Sequence, residues 1–176
     1  MLANYKIDPA HSSAHFSVRH MMISNVRGGF GSVLGTVAYD SQNLAASKVE
    51  VEIDVSTIST LENARDTHLK SSDFLHVEKY PTITFKSKAV TPNGDGELRV
   101  KGDLTIHGVT NEVILEVERP STEEKDPYGN ARIGASATTK IRRSDFGLTW
   151  NALLETGGIL VGDDLKINVE VSLIKA

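Results

Sequence analysis

The histidines are the residues with the most evident chemical potential in this sequence. The chain contains 6 His and no Cys, so a histidine metal site and general acid–base catalysis are the first hypotheses to weigh. His11, His15 and His20 lie close together, but apolar and polar residues alternate from residue 14 to residue 20, which is typical of a strand. Strand residues four apart are separated by roughly 13 Å, whereas zinc binds nitrogen at about 2 Å. The spacing therefore indicates surface or hydrogen-bonded histidines rather than a dedicated metal site.

Motifs for other chemistry are missing from the sequence. It contains no G-x-S-x-G nucleophile elbow, no phosphate-binding P-loop and no dinucleotide-binding G-x-G-x-x-G. The net charge of −4 comes without a basic stripe, so nucleic acid is not expected as a partner. The sequence therefore predicts neither an enzyme with a recognisable local motif nor a nucleic-acid-binding protein.

The elements that would position any site are strands with one apolar face and one polar face. Strict alternation occurs over residues 14–20, 48–56, 97–106 and 165–174, which predicts antiparallel sheets in an all-β protein, either a sandwich or a tall barrel. Helix is scarce: Ser59–Glu62 has the form of a capping box, followed by a predicted helix of about three turns. Short helical turns are expected at residues 72–74, 144–146 and 149–158.

The segment from Leu104 to Leu115 is predicted to be a hairpin around His107. A four-residue loop would place Leu104 opposite Val113 and would pair basic with acidic residues across the strands. A two-residue loop would instead place Asp103 opposite Glu112, two like charges. The four-residue loop is the favoured prediction, with His107 on the polar side of the hairpin tip.

The N-terminal segment lacks the basic and apolar regions of a signal peptide, and no apolar run approaches the ~18 residues of a membrane span. These features predict a soluble, cytoplasmic protein without a transmembrane segment. A periplasmic location is expected instead if a leader has been removed.

Several segments together resemble the YceI-like family of polyisoprenoid-binding proteins. They are "DPAHSSAHFSVRH", "GGFGSVLGTVAYD", "HLKSSDFLHVEKYP", "GDLTIHGVTNEVIL", "SDFGLTW" and "VGDDLKINVEVSL", and they cover nearly the whole chain in order. The resemblance implies a single domain over residues 1–176. Its fold would be an extended eight-stranded antiparallel lipocalin-like barrel, with one short helix at about 60–70 and helical turns around a long apolar pore.

The function that the resemblance implies is sequestration or transport of an isoprenoid lipid, such as a polyprenyl lipid or a prenyl quinone, without catalysis and without a cofactor other than that lipid. Homodimers occur among family relatives, so a homodimer is also expected. Two alternatives stay open: a hydrolase or isomerase that uses histidines at the barrel mouth, and a stress-linked interaction module that binds no ligand.

The residues predicted to line the pore are mainly large and apolar. They are Phe16, Val18, His20, Phe30, Leu34, Phe74, Ile83, Phe85, Leu104, Val113, Phe146, Trp150 and Leu160. His20 is the polar member of an apolar row, where it would contact a ligand head group or a buried protein partner. Gly102, Ala135 and Ala137 are small residues on predicted inward faces, which would either leave a lumen or fit a tapered, filled barrel.

Overall fold

A computed structural model describes residues 1–154 and 158–176 of the chain. Its strands form one continuous antiparallel sheet of 12 strands. They are β1 (Ala3–Ile7), β2 (Ser13–His20), β3 (Ser24–Phe30), β4 (Val33–Tyr39), β5 (Lys48–Asp54), β6 (Ile58–Ser59), β7 (Thr82–Pro92), β8 (Leu98–Ile106), β9 (Val109–Val117), β10 (Glu124–Lys125), β11 (Ala131–Arg142) and β12 (Val161–Lys175). The helix α1 is Asn63–Lys70, and 3-10 turns occupy Pro9–His11, Leu44–Ala46, Val55–Thr57 and Arg143–Phe146.

The sheet closes into a barrel because β12 pairs along both of its edges. One edge pairs with β11, from Arg142↔Asp164 to Arg132↔Ile174. The other edge pairs first with β2 and then with β1. The closed barrel has 8 strands, in the order β1-β4-β5-β7-β8-β9-β11-β12, which confirms the predicted fold class. Strands β2, β3 and β6 continue the sheet outward from β12.

The barrel has two distinct ends. The helix end carries α1, the turn between β8 and β9, and the chain that follows β11. The terminal end carries both chain termini and the turns at residues 93–97 and 126–130. The alternation read from the sequence appears directly in the burial of β8, where every apolar position and Gly102 are buried.

The hairpin between β8 and β9 has a two-residue turn, so the predicted four-residue loop is wrong. Leu104 pairs with Asn111, and the turn consists of His107 and Gly108, with φ of 55° and 71°. Positive φ at both central residues gives the turn a twist that matches the twist of antiparallel strands, and Gly adopts it without strain.

A third strand explains why like charges do not disfavour this register. Asp103 does lie opposite Glu112, but Lys88 of β7 places its Nζ 3.0 Å from the Asp103 carboxylate and 3.2 Å from the Glu112 carboxylate. Lys88 lies at a β-bulge, where the register of β7 shifts. The two carboxylates raise the pKa of Lys88, because they stabilise its charged form. A comparison of β8 and β9 alone leaves out this cation, because Lys88 belongs to β7.

The helix is shorter than the predicted span of about 60–70. It begins at Asn63, and its N-cap is Glu62, whose carboxylate accepts hydrogen bonds from the backbone N–H groups of Ala64 and Arg65. Ser59, the expected cap, belongs to β6. The helical turn expected at 144–146 is present. Of the turn expected at 149–158, residues 149–154 are not helical and residues 155–157 lie outside the described residues.

Candidate functional site

The interior of the barrel holds an apolar cavity of about 270 Å³. Its walls extend from Leu69 and Leu148 at the helix end to Tyr39 and Leu173 at the terminal end. The inward-facing rows of successive strands supply the lining, because alternate side chains of each strand point to the same face. Nearly all of the lining is hydrocarbon, and the polar residues that border the cavity are His15, Tyr39, Ser47, Ser136, Thr139 and Arg143.

Of the residues predicted to line a pore, the structure places seven on the wall of this cavity. They are Phe16, Val18, Phe30, Phe74, Ile83, Phe85 and Leu104. They come from β2, β3, β7, β8 and the segment after α1, so they are distant in the chain but converge in space.

Leu34 and His20 lie outside the cavity. The side chain of Leu34 is 47% exposed, on the outer face opposite Glu52. The bend at Gly31–Ser32 separates β3 from β4 and shifts the alternation by one residue, so Val33 points inward in place of Leu34. His20 ends β2, where it pairs with Ser24 and Val161 beyond the cavity wall.

The other four predicted residues lie near the cavity but do not line it. Phe146 is 1% exposed and belongs to the core beneath its 3-10 turn. Val113 packs against the same core. Trp150 lies at the helix end with its ring centroid 5.1 Å from that of Phe74. The backbone carbonyl of Leu160 accepts a hydrogen bond from the N–H of Met21.

The space beside Gly102 is occupied by protein. A Cβ at this position would lie 2.6 Å from the ring of Phe85 and 2.5 Å from the carbonyl oxygen of Lys86. Gly102 therefore admits the aromatic ring of the neighbouring strand instead of a ligand. Space in the cavity is left instead beside β11, where Ala135 and Ala137 present only methyl groups to it.

Arg143 is a charged lining residue that the sequence reasoning did not name. It is 4% exposed, and its guanidinium donates hydrogen bonds to the backbone carbonyls of Leu148, Trp150, Val161 and Gly162 at 2.6–3.1 Å. No ion pair to Arg143 occurs among the described residues. Burial lowers the pKa of the guanidinium, an effect that the nearby Asp163 carboxylate opposes. The side chain remains charged at neutral pH, so it places a positive charge at the helix end of the cavity.

Strand alternation was the signal that could have found Arg143. Ile133, Ala135, Ala137, Thr139 and Ile141 all point inward, and the next inward position is residue 143.

His68 and His107 each contact local partners. The ring of His68 lies 2.9 Å from the Asp73 carboxylate and packs edge-on against Trp150. The ring of His107 packs against Tyr80, and its Nδ1 lies 3.3 Å from the Phe146 carbonyl oxygen. No group of three or more His, Cys, Asp or Glu residues close enough to hold a metal ion occurs in residues 1–154 and 158–176.

Comparison with known proteins assigns the barrel to a family. The family described as "YceI-like domain" matches residues 5–173, and the chain belongs to it. A UPF0312 protein of Staphylococcus aureus (strain N315) is 38% identical over 165 residues, which are 94% of each chain.

Two solved structures share the fold. The chain is similar to BcnA of Burkholderia cenocepacia, with a TM-score of 0.80, 23% identity and coverage of 94% and 98% of the two chains. It is also similar to a polyisoprenoid binding domain from Saccharophagus degradans implicated in plant cell wall breakdown, with a TM-score of 0.72, 15% identity and full coverage of both chains. None of the helices described in this chain is both long enough and apolar enough to span a bilayer.

Proposed function

We propose that this protein binds a long, slender isoprenoid-type lipid inside its barrel and stores or carries it. The observation that supports the proposal is the cavity itself, which has an almost wholly hydrocarbon wall and extends from one end of the barrel to the other. Ligand pockets usually measure about 300–1,000 Å³. A cavity of about 270 Å³ suits a thin chain better than a fused-ring lipid.

Burial of hydrocarbon supplies the binding free energy in this proposal. Each buried CH₂ contributes about 0.8 kcal/mol, so one five-carbon isoprene unit contributes roughly 4 kcal/mol at most. A few units therefore suffice after the costs of association and chain ordering are met. The solved polyisoprenoid binding domain with the same fold is the precedent for such a ligand.

Arg143 gives the bound lipid a direction. A polar or anionic head group lowers the cost of keeping a buried guanidinium charged, so the head group lies at the helix end and the hydrocarbon tail extends toward Leu173. Polyprenyl phosphates and the carbonyl groups of prenyl quinones both meet this requirement as hydrogen-bond acceptors.

The experiment is native mass spectrometry of the purified protein, followed by organic extraction and titration of the emptied protein with a polyprenol and its monophosphate. The expected result is a lipid-bound mass, and tighter binding of the monophosphate than of the polyprenol. A bare protein mass together with no saturable binding of either lipid would overturn the proposal.

A further inference from the structure

The turn between β2 and β3 exposes three large apolar side chains. Met21, Met22 and Ile23 are 42%, 57% and 75% exposed, in the order given. We call these residues the apolar tip. They lie at the helix end, because the neighbouring His20 pairs with Val161, the first residue of β12.

The backbone of the apolar tip is poorly suited to the side chains that it carries. Met21 and Met22 both adopt left-handed conformations, with φ of 51° and 61°. Asn, Asp and Gly adopt this region readily, whereas it is strained for bulky side chains. Stability of the fold therefore does not account for two methionines here, and strained backbone is often retained where it serves a function.

Further exposed apolar residues adjoin the tip. Leu153 and Ile159 are 84% and 38% exposed and pair with each other in an isolated bridge. This bridge lies beside the tip, because the Met21 N–H donates to the Leu160 carbonyl and the Met22 sulfur packs over Gly158.

A set of cations lies on the outer sheet face next to the tip. One cross-strand row contains Arg27 on β3, Ser17 on β2, Lys166 on β12 and Lys140 on β11. Arg19 and Arg142 extend the set toward the helix end. We call Arg19, Arg27, Lys140, Arg142 and Lys166 the basic face, and all of them are exposed.

Three carboxylates lie beside these five cations among the described residues. Asp164 pairs with Lys140 at 3.2 Å and lies opposite Arg142, and Asp163 accepts hydrogen bonds from the backbone N–H and hydroxyl of Ser144. Glu116 borders the same outer surface but pairs with Arg99, so the cations remain in excess. Glu155 lies outside the described residues. The basic face thus contrasts with the chain as a whole, whose net charge is −4.

We propose that the apolar tip and the basic face together dock the protein on an anionic lipid bilayer. Side chains that enter the acyl boundary beside a cluster of Lys and Arg are the combination that binds interfacially, because each cation near an anionic surface adds attraction. A protein partner or a second copy of the chain would leave the alignment of the tip with the helix end of the cavity unexplained. Docking orients that end toward the bilayer.

The first test is flotation with vesicles of phosphatidylcholine containing phosphatidylglycerol, compared with pure phosphatidylcholine vesicles. The expected result is binding to the anionic vesicles that weakens with salt. K166Q and R27Q each reduce partition by roughly fivefold, whereas K125Q, an exposed lysine of β10 at the terminal end, leaves it unchanged. Absence of anionic vesicle binding, or equal losses in all three variants, would overturn the proposal.

The second test locates the part of the protein that enters the bilayer. Because the chain has no Cys, M22C and Y128C each provide one site for an environment-sensitive fluorophore. Tyr128 is 89% exposed at the terminal end and is the matched control. The expected result is a blue shift at position 22 on adding anionic vesicles and none at position 128. A concentration-dependent shift at position 22 without vesicles would assign the tip to a second copy and contradict docking.

This inference goes beyond the proposed carrier function and fails independently of it. The vesicles contain no isoprenoid, so docking is measured without a cavity ligand. Loss of polyprenol binding with intact vesicle binding would refute only the carrier function, and the reverse result would refute only docking.

Discussion

Two arginines at opposite ends of β11 are held in contrasting ways. Arg132, at the terminal end, bonds the carboxylates of Asp8 and Asp126 at 2.8 and 2.7 Å. These partners raise the pKa of Arg132 and lower those of both carboxyls, that of Asp8 to about 2. Arg143, at the helix end, has four backbone carbonyls as its acceptors. Two carboxylates thus bond the cation at the terminal end, whereas backbone carbonyls bond the cation at the helix end and the nearby Asp163 carboxylate offsets its charge in part.

The same contrast extends to the turns at the two ends. The terminal end has open turns at Gly94 and Gly129, where an added Cβ would meet nothing within 4 Å. At the helix end, Gly108 is packed under Tyr80 and the apolar tip is strained and exposed. One end therefore mainly closes the barrel, while the other combines closure with features that suit a ligand and a surface.

The largest expected effect comes from removing the charge at the helix end. R143M leaves four carbonyls without a donor in a buried site, and we expect a loss of about 3–5 kcal/mol in the free energy of unfolding. The matched control is R142M, because Arg142 is the exposed neighbour, where a change within about 0.5 kcal/mol is expected. Urea unfolding followed by circular dichroism measures both, and similar losses would remove the distinction between the two ends.

Overpacking the turn at Gly108 is expected to cause the next largest loss of stability. In G108A the new methyl group would lie 2.5 Å from the Tyr80 ring, on a backbone with φ of 71°. Left-handed strain and overpacking together cost about 2–3 kcal/mol. In G94A only the strain applies, at about 1 kcal/mol. The prediction fails if thermal unfolding shows G94A to be as destabilised as G108A.

Acid should weaken the ion-pair cluster of Arg132 at the terminal end. Because the pKa of Asp8 is about 2 in the folded protein and about 3.9 in an unfolded chain, its contribution to stability is complete above about pH 5. It is lost as the pH falls toward 2, and the still lower pKa of Asp126 extends this loss further into acid. We expect the Tm to fall over this range, and R132Q to lower the Tm at pH 7 and flatten the acid dependence. R99Q, which removes an exposed pair with Glu116, is the control and should keep the wild-type pH profile.

The smallest expected change is a gain in stability at the apolar tip. M22N replaces a bulky side chain with one that tolerates the left-handed region, which should raise stability by up to about 1 kcal/mol. The same variant should bind anionic vesicles less well. Y128N at the terminal end should change neither property. Lower stability of M22N would show that Met22 serves the fold.

Much of the fold follows from the sequence because alternation is a local property. The strands near residues 14–20, 48–56, 97–106 and 165–174 were predicted from period-two patterns alone, and all are present. The hairpin register was not predictable in this way, because Lys88 acts from a third strand through a bulge. The position of Leu34 depended on a bend that resets the alternation.

The candidate site was only partly predictable for the same reason. Predicted apolar residues in the regular parts of strands mostly line the cavity. Predicted residues near strand ends, such as His20 and Leu160, do not. The role of Gly102 depended on which neighbouring ring reaches it, and pattern reasoning gives no such contact. Alternation along β11 indicates that residue 143 points inward, but it does not reveal the four carbonyls that bond Arg143, which come from the irregular chain after β11 and the start of β12.

An internal lipid site is tested by polyprenol binding to a cavity-filling variant and to its outer-face control. A137F places an aromatic ring in the cavity, whereas T138F places the same ring on the exposed outer face of the same strand. Circular dichroism first establishes that both variants are folded. We predict that A137F weakens polyprenol binding at least tenfold and that T138F binds as the wild type does. Equal binding by both variants would contradict an internal lipid site.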